Sequence, residues 1–274
     1  MDVMYLMKRE MLRRKYSPRT IQSYSYCLNK FLLFYKNKNP RKISKKDVKE
    51  FIDKKLVDKN RSGSTINLYF NAIKFLMENI LNKRLMHNLK YSKVPKTLPV
   101  VLTKDEVRRL INSIKNKKHK LMIMLMYSAG LRVSELVNLK VEDFEFSKNY
   151  GWVRKGKGDK DRMFIIARTL NEELQKFILE NNLNNFIFMG NRGLNMSQRT
   201  VQEVIRKATK EARINKKVHP HTLRHSFATH LIENGYDVAS VQSLLGHNSA
   251  ETTMIYLHVA SPKMINVKSP LDEL

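Results

Sequence analysis

The chain has 274 residues, 42% of them hydrophobic, enough for one large domain or two ordinary ones with packed cores. It carries 52 Lys and Arg against 25 Asp and Glu, a formal charge of +27 and a pI near 10.1, so its surface seeks a polyanion. No run reaches the ~20 apolar residues of a membrane span, the N-terminus MDVMYLMKREMLRRK lacks a secretory signal, and the single cysteine, Cys27, excludes an internal disulfide, which together predict a cytoplasmic protein.

The positive charge is uneven: residues 1–95 hold 23 basic and 7 acidic residues, and residues 96–274 hold 29 and 18. In the first third, Ser17 caps a helix with Pro18 at its first position, and Ile21, Tyr24, Leu28, Phe31, Leu32 and Tyr35 follow at helical spacing. A second helix starts at Ser44, with Asp47 three residues on, and turns Val48, Phe51, Ile52 and Leu56 inward. A third runs from about Ser64, burying Ile66, Tyr69, Ile73, Leu76, Met77 and Ile80. These aromatic residues read as packing rather than base-stacking groups. The result is a basic helical bundle over residues 1–92. The stretch Lys90–Val101, KYSKVPKTLPVV, has two prolines and no helical period, and reads as a linker centred on 93–101.

A second, α-rich domain follows over 102–260. Thr103 and Glu106 form a capping box, and the apolar run LMIMLMYSAG predicts a buried helix closed by Gly130. The only strand signals are Trp152–Arg154 and Met163–Ile166, a hairpin around KGKGDKD. Helices then follow over Thr169–Asn181, Ser197 to about Ile214, His221–Asn234, Asp237–Leu245 and Ser249 to about Val259. The tail 261–274 places Met264, Ile265 and Val267 between Pro262 and Pro270, an apolar face in want of a partner. Its last four residues, LDEL, match an ER-retention signal by chance.

Three patterns carry possible chemistry: AGLRVSEL around Arg132, HTLRHSFATHL around His221 and Arg224, and LLGHNSAETTMIYLH around His247 and Tyr256. Each residue alone has an ordinary reading as a surface charge, a cap histidine or a core tyrosine. His221 and Arg224 are three apart on a helix and could meet one anion together, Arg through its planar fork and His by moving a proton. His221 and His225 have the spacing of zinc ligands, but Thr222 stands where a zinc-protease helix has glutamate and no cysteine is near. No metal or cofactor is therefore expected, and His225 and His230 read as structural or supporting groups.

Taken in order, Arg132, Lys157, His221, Arg224, His247 and Tyr256, with G-L-R-x-S-E-L, L-R-H-x-F-A-T-H-L, L-L-G-H and T-T-x-x-Y-x-H around them, the chain resembles the tyrosine recombinases of the phage integrase family, and most the short Xer-type enzymes. The resemblance spans nearly the whole chain and implies a two-domain fold, a helical core-DNA-binding bundle followed by a mainly α catalytic domain with a small hairpin. It implies that Tyr256 attacks a DNA phosphate to give a 3′-phosphotyrosine, that Arg132 and Arg224 hold the phosphate oxygens, and that His221 serves proton transfer while His247 hydrogen-bonds the phosphate. Lys157 would be the general acid, with Lys155 and Lys160 as alternatives. The partner would be duplex DNA bound by a tetramer, the tail docking on a neighbouring protomer, and the role Xer-like resolution of chromosome dimers. A phage- or plasmid-type integrase, a type IB topoisomerase-like enzyme and a non-catalytic DNA-binding protein are the other readings. The helix from Ser197, with Gln198, Arg199, Gln202 and Arg206, is a candidate for the major groove or a solvated face. Affinity for duplex DNA, followed by fluorescence anisotropy, should fall about a thousandfold or more for a roughly fourfold rise in salt, and a salt-independent affinity would contradict the charge reading.

Overall fold

Polar caps decide where most helices begin. Asp2 accepts from the Met4 amide at the start of α1 (Val3–Arg13), and Ser17 accepts from the Thr20 amide at the start of α2 (Pro18–Phe34). Ser44 and Asp47 form a reciprocal capping box on α3 (Lys45–Ile52), and Ser62 caps α4 (Gly63–Lys74). The latter two continue as π-helical segments, Asp53–Val57 and Phe75–Ile80. The computed structural model describes all residues except 1, 37, 88, 96, 155–160, 191–192, 247–249 and 258–274, with 250 and 251 described in backbone alone. It divides into Met1–Lys96 and Thr97–Leu274.

In the first unit, Leu28 and Phe31 of α2 and Ile73 of α4 are fully buried, and Phe31 meets Phe51 of α3 edge to face at 5.0 Å between ring centroids. The stripe read from the sequence thus faces this core. Helix α1 was not foreseen; Lys8, Arg9 and Glu10 interrupt the stripe on which Met7 and Met11, one turn apart, reach the interior.

In the second unit, the Thr103–Glu106 box starts α5 (Lys104–Asn112), and α6 (Lys117–Ser128) buries Leu121, Met122, Ile123, Leu125 and Met126. Gly130, at φ +58°, ends α6 and lets the chain turn into α7 (Val133–Asn138). A three-stranded antiparallel sheet follows, β1 (Phe144–Glu145), β2 (Tyr150–Val153) and β3 (Arg162–Ile165), paired in that order. Both hairpin strands begin earlier than the sequence suggests, and β1 is too short to leave a pattern. Trp152 opposite Met163 faces outward, while Val153 opposite Arg162 faces the interior. The remaining helices are α8 (Arg168–Glu180), α9 (Gln198–Glu211), α10 (Pro220–Glu233), α11 (Val238–Leu245) and α12 (Ala250–Met254). The architecture is mainly α with one small sheet, as the sequence implies. Helix α10 packs on α6, and beside it Phe227, Ala228, Val241, Leu245 and Tyr256 form a second, smaller core. Among the described residues no helix is long and apolar enough to cross a membrane.

Gly130 joins these parts at close quarters: a β-carbon there would lie 2.4 Å from Phe227 Cδ1. Gly130→Ala combines left-handed strain with overpacking and should destabilise the protein by about 2–4 kcal/mol. The check is the urea midpoint with the slope unchanged; a shift below about 0.5 kcal/mol would mean that Phe227 yields freely.

Candidate active site

The end of α6, the start of α7, strand β3, helix α10 and the end of α11 converge on one buried carboxylate. Glu135 of α7 accepts from its own N-cap residue, Arg132, twice: from the backbone amide at 2.8 Å and from Nη1 at 2.6 Å. Arg162 Nη2 donates at 2.6 Å to Oε2, the oxygen that also accepts from the Arg132 amide, and Arg224 Nη1 lies 3.9 Å from the same oxygen. Burial alone would push the Glu135 carboxyl up, but the charge of Arg162 and the hydrogen bonds from Arg132 and Arg162 outweigh it and hold the group below its ordinary range.

The same three arginines grip three successive carbonyls where α11 ends. Arg162 donates to Leu244, Arg224 Nη2 to Leu245 at 2.6 Å, and Arg132 Nη2 to Gly246 at 3.4 Å. A helix C-terminus leaves such carbonyls without intrahelical partners and carries partial negative charge, so guanidiniums suit it. Gly246, at φ +61°, is the left-handed cap that presents them. Arg224 is 2% exposed and also donates to Gly130 O at 2.7 Å. Burial, then Arg132, pull its guanidinium down to about 9 against the opposing pull of Glu135, which leaves it charged at neutral pH.

Of the six residues singled out from the sequence, four lie among the described residues. Arg132 and Arg224 come together around Glu135. His221 and Arg224, though three apart, differ in environment: His221 stands exposed in the first turn of α10 and Arg224 is buried. Partial desolvation, then Arg224 and His219, hold the His221 imidazole below its ordinary pKa. Tyr256 is 2% exposed, and its hydroxyl hydrogen-bonds with Nδ1 of His225 at 2.9 Å. Burial raises the phenol pKa, while the charges of Arg224 and Arg132 act on it in the opposite sense. Lys157, its alternatives Lys155 and Lys160, His247 and the tail 261–274 lie outside the described residues.

Two contributors escaped the sequence reading. Glu135 stood inside G-L-R-V-S-E-L without a role, although R-x-x-E places an acid one turn from Arg132. Arg162 alternates in register with Phe164 and so points a charge into the core, a legible oddity. His225, read as a supporting group, is the imidazole that touches the tyrosine; only the fold could show that.

Burial, followed by the neighbouring histidines and Arg224, depresses the His225 pKa from 6.5 to about 4. The unfolded chain therefore takes up a proton between those values that the native state refuses, so stability is full above about pH 6.5 and is lost as pH falls toward 4. His225→Gln should flatten part of this decline in thermal midpoint measured over the same range. Parallel curves for parent and variant would assign the decline to other groups.

Residues 100–262 match the phage integrase family, and residues 4–87 match the phage integrase N-terminal SAM-like domain. A tyrosine recombinase XerA from Pyrococcus horikoshii is 39% identical over 251 residues, covering 89% of this chain and 85% of that protein. The crystal structure of a XerA recombinase is 33% identical, with a TM-score of 0.57 and coverage of 96% and 95%. The XerH site-specific recombinase bound to difH substrate, in a pre-cleavage complex, is 25% identical with a TM-score of 0.73, covering 92% and 79%. With the family model spanning more than half of the chain and this relative matching along most of its length, the chain belongs to the phage integrase family and is a tyrosine recombinase of the Xer type.

Proposed function

We propose that Tyr256 is the nucleophile of site-specific DNA cleavage and rejoining, and that Arg132 and Arg224 bind the scissile phosphate. The observation that carries this reading is that both guanidiniums, held around one buried carboxylate, also act on the Tyr256 phenol. The phenolic oxygen forms a bond to phosphorus, the bond to the 5′-oxygen breaks, and a 3′-phosphotyrosine and a 5′-hydroxyl result. The phenol proton passes first to His225, which is neutral at pH 7, and then toward His221, whose ring centre is 6.2 Å from that of His225 and nearer solvent. Lys157 protonates the leaving oxygen and His247 hydrogen-bonds the phosphate, roles that rest on the family motif. The energy of the broken bond is kept in the phosphotyrosine, so no ATP is spent.

The polyanion sought by the +27 chain is then duplex DNA, bound as two sites in a tetramer, with residues 1–92 as the core-binding unit, 102–260 as the catalytic unit and 261–274 docking on a neighbour. Support comes from XerH, whose structure holds difH substrate. Exposed Arg199, Gln202 and Arg206 of α9 offer a surface to the groove. Chromosome dimer resolution in the cytoplasm is the role that the resemblance to Xer-type enzymes implies.

On a suicide duplex bearing the cognate site, Tyr256→Phe should bind as the parent does and form no covalent adduct. Arg132→Ala and Arg224→Ala should each slow adduct formation about 100- to 1000-fold, well beyond any loss of binding. An undiminished adduct from Tyr256→Phe would place the nucleophile elsewhere, and an adduct without exchange between two duplexes would favour topoisomerase-like relaxation.

A further inference from the structure

Arg162 opens β3, two residues after the segment 155–160 that contains Lys157, and points to the core side of the sheet opposite Val153. It is buried, donates from Nη2 to Glu135 at 2.6 Å and from Nη1 to the Leu244 carbonyl, and lies so close to Gly246 that a β-carbon there would come within 2.6 Å of its Cδ. Folding alone does not call for this residue. An inward strand position is ordinarily filled by an apolar side chain, as Phe164 fills the next one, and exchanging a buried ion pair for apolar groups is often neutral or stabilising. Moreover, Arg162 Nε is buried with no hydrogen-bond partner among the described residues, a desolvated donor that works against stability.

We propose that Arg162 is a positioning residue for strand cleavage, keeping Glu135 in place as the partner of Arg132 and pinning the Leu244–Gly246 turn that leads to His247. The inference rests on the reading of Tyr256 and its arginines given above. One guanidinium thereby links three parts of the site: the strand after the Lys157 segment, the carboxylate that orients Arg132, and the turn before His247. Arg132 holds its place through Glu135 only while that carboxylate is itself ionised and anchored by a second element, here Arg162 of β3. The groups facing Glu135 are Arg132 from its own helix start, Arg162 from β3, and Arg224 and His221 from α10; Asp143 and Arg154 line the adjoining cleft. Of the charges, Arg162 contributes most to keeping it ionised. Without Arg162, the largest charge opposing burial is lost, so the Glu135 pKa would rise and its hold on Arg132 would weaken as pH falls.

The test compares full-length parent, Arg162→Gln and Arg162→Lys in single-turnover cleavage of a suicide duplex at saturating protein, alongside equilibrium DNA binding and thermal midpoint. Arg162→Gln should slow cleavage at least about tenfold while binding changes less than about twofold, and its rate should fall on the acid side of neutrality where the parent's does not. Arg162→Lys, able to keep one of the two contacts, should recover part of the rate. In a Glu135→Gln background, Arg162→Lys should cost little more, since both act through the same pair; this comparison also serves if Arg162→Gln does not fold. A lowered thermal midpoint with parental cleavage and pH profile, or fully additive losses in the double variant, would overturn the inference. An adduct formed by Tyr256→Phe would instead overturn the reading on which it rests.

Discussion

The arginine cluster of the second unit depends on how one buried carboxylate is shared. Glu135, 7% exposed, faces Arg132, Arg162 and Arg224, and taking four charged groups from water is a cost that their mutual attraction offsets only with good geometry. The geometry is supplied by two-sided anchoring: each guanidinium reaches toward Glu135 and also takes a carbonyl of the Leu244–Gly246 turn. The charges do not cancel. Three cations against one carboxylate and a helix end worth about half a negative charge leave a surplus of roughly one and a half positive charges. A site built only for stability would have balanced them. The surplus fits an anion such as the phosphate invoked above, held where surrounding protein keeps water from screening the attraction.

The fold meets this demand by bringing element ends together, where backbone groups are unpaired. The Gly130 carbonyl at the end of α6 and the Leu245 carbonyl at the end of α11 lie on either side of the Arg224 guanidinium. Two left-handed glycines make this possible, Gly130 by ending α6 against Phe227 and Gly246 by leaving room for the Arg162 chain. The buried helix α6 and the apolar face of α10 thus do more than fill a core: they fix the positions from which the arginines converge.

Much of this was legible in the sequence because it is local. Ser17, Ser44 and Thr103 marked helix starts through hydrogen bonds within four residues, and Gly130 marked an end through backbone conformation. Arg132, Arg224 and Tyr256 were legible through an ordered motif, and the structure brings Arg132 and Arg224 around one group. What remained hidden is tertiary. The partner of Tyr256 is set by the packing of the segment after α12 against α10, 31 residues apart, which no spacing encodes. The link from Arg162 to Glu135 spans 27 residues and a change from strand to helix. Helix α1 was missed because its apolar residues crowd the first turns on every side, and Lys8, Arg9 and Glu10 then separate Met7 from Met11, so no clean stripe marks its buried face.

The placement of Tyr256 bears on the order of events in the proposed chemistry. Arg224 and Arg132 lower the phenol pKa and burial raises it, so the resting tyrosine stays protonated on its neutral histidine. A phosphate arriving at the same guanidiniums brings negative charge that weakens their pull on the phenol. Binding substrate and forming a free phenolate therefore compete for one positive surplus. The competition vanishes if the proton leaves as the oxygen attacks, because the charge then passes from the phenol to the phosphate oxygens without leaving the arginine pocket. On this argument a neutral imidazole beside the hydroxyl suits the site better than a strong base. It takes the proton only when the developing bond makes the phenol acidic, and until then it holds a nucleophile that cannot react with a passing electrophile.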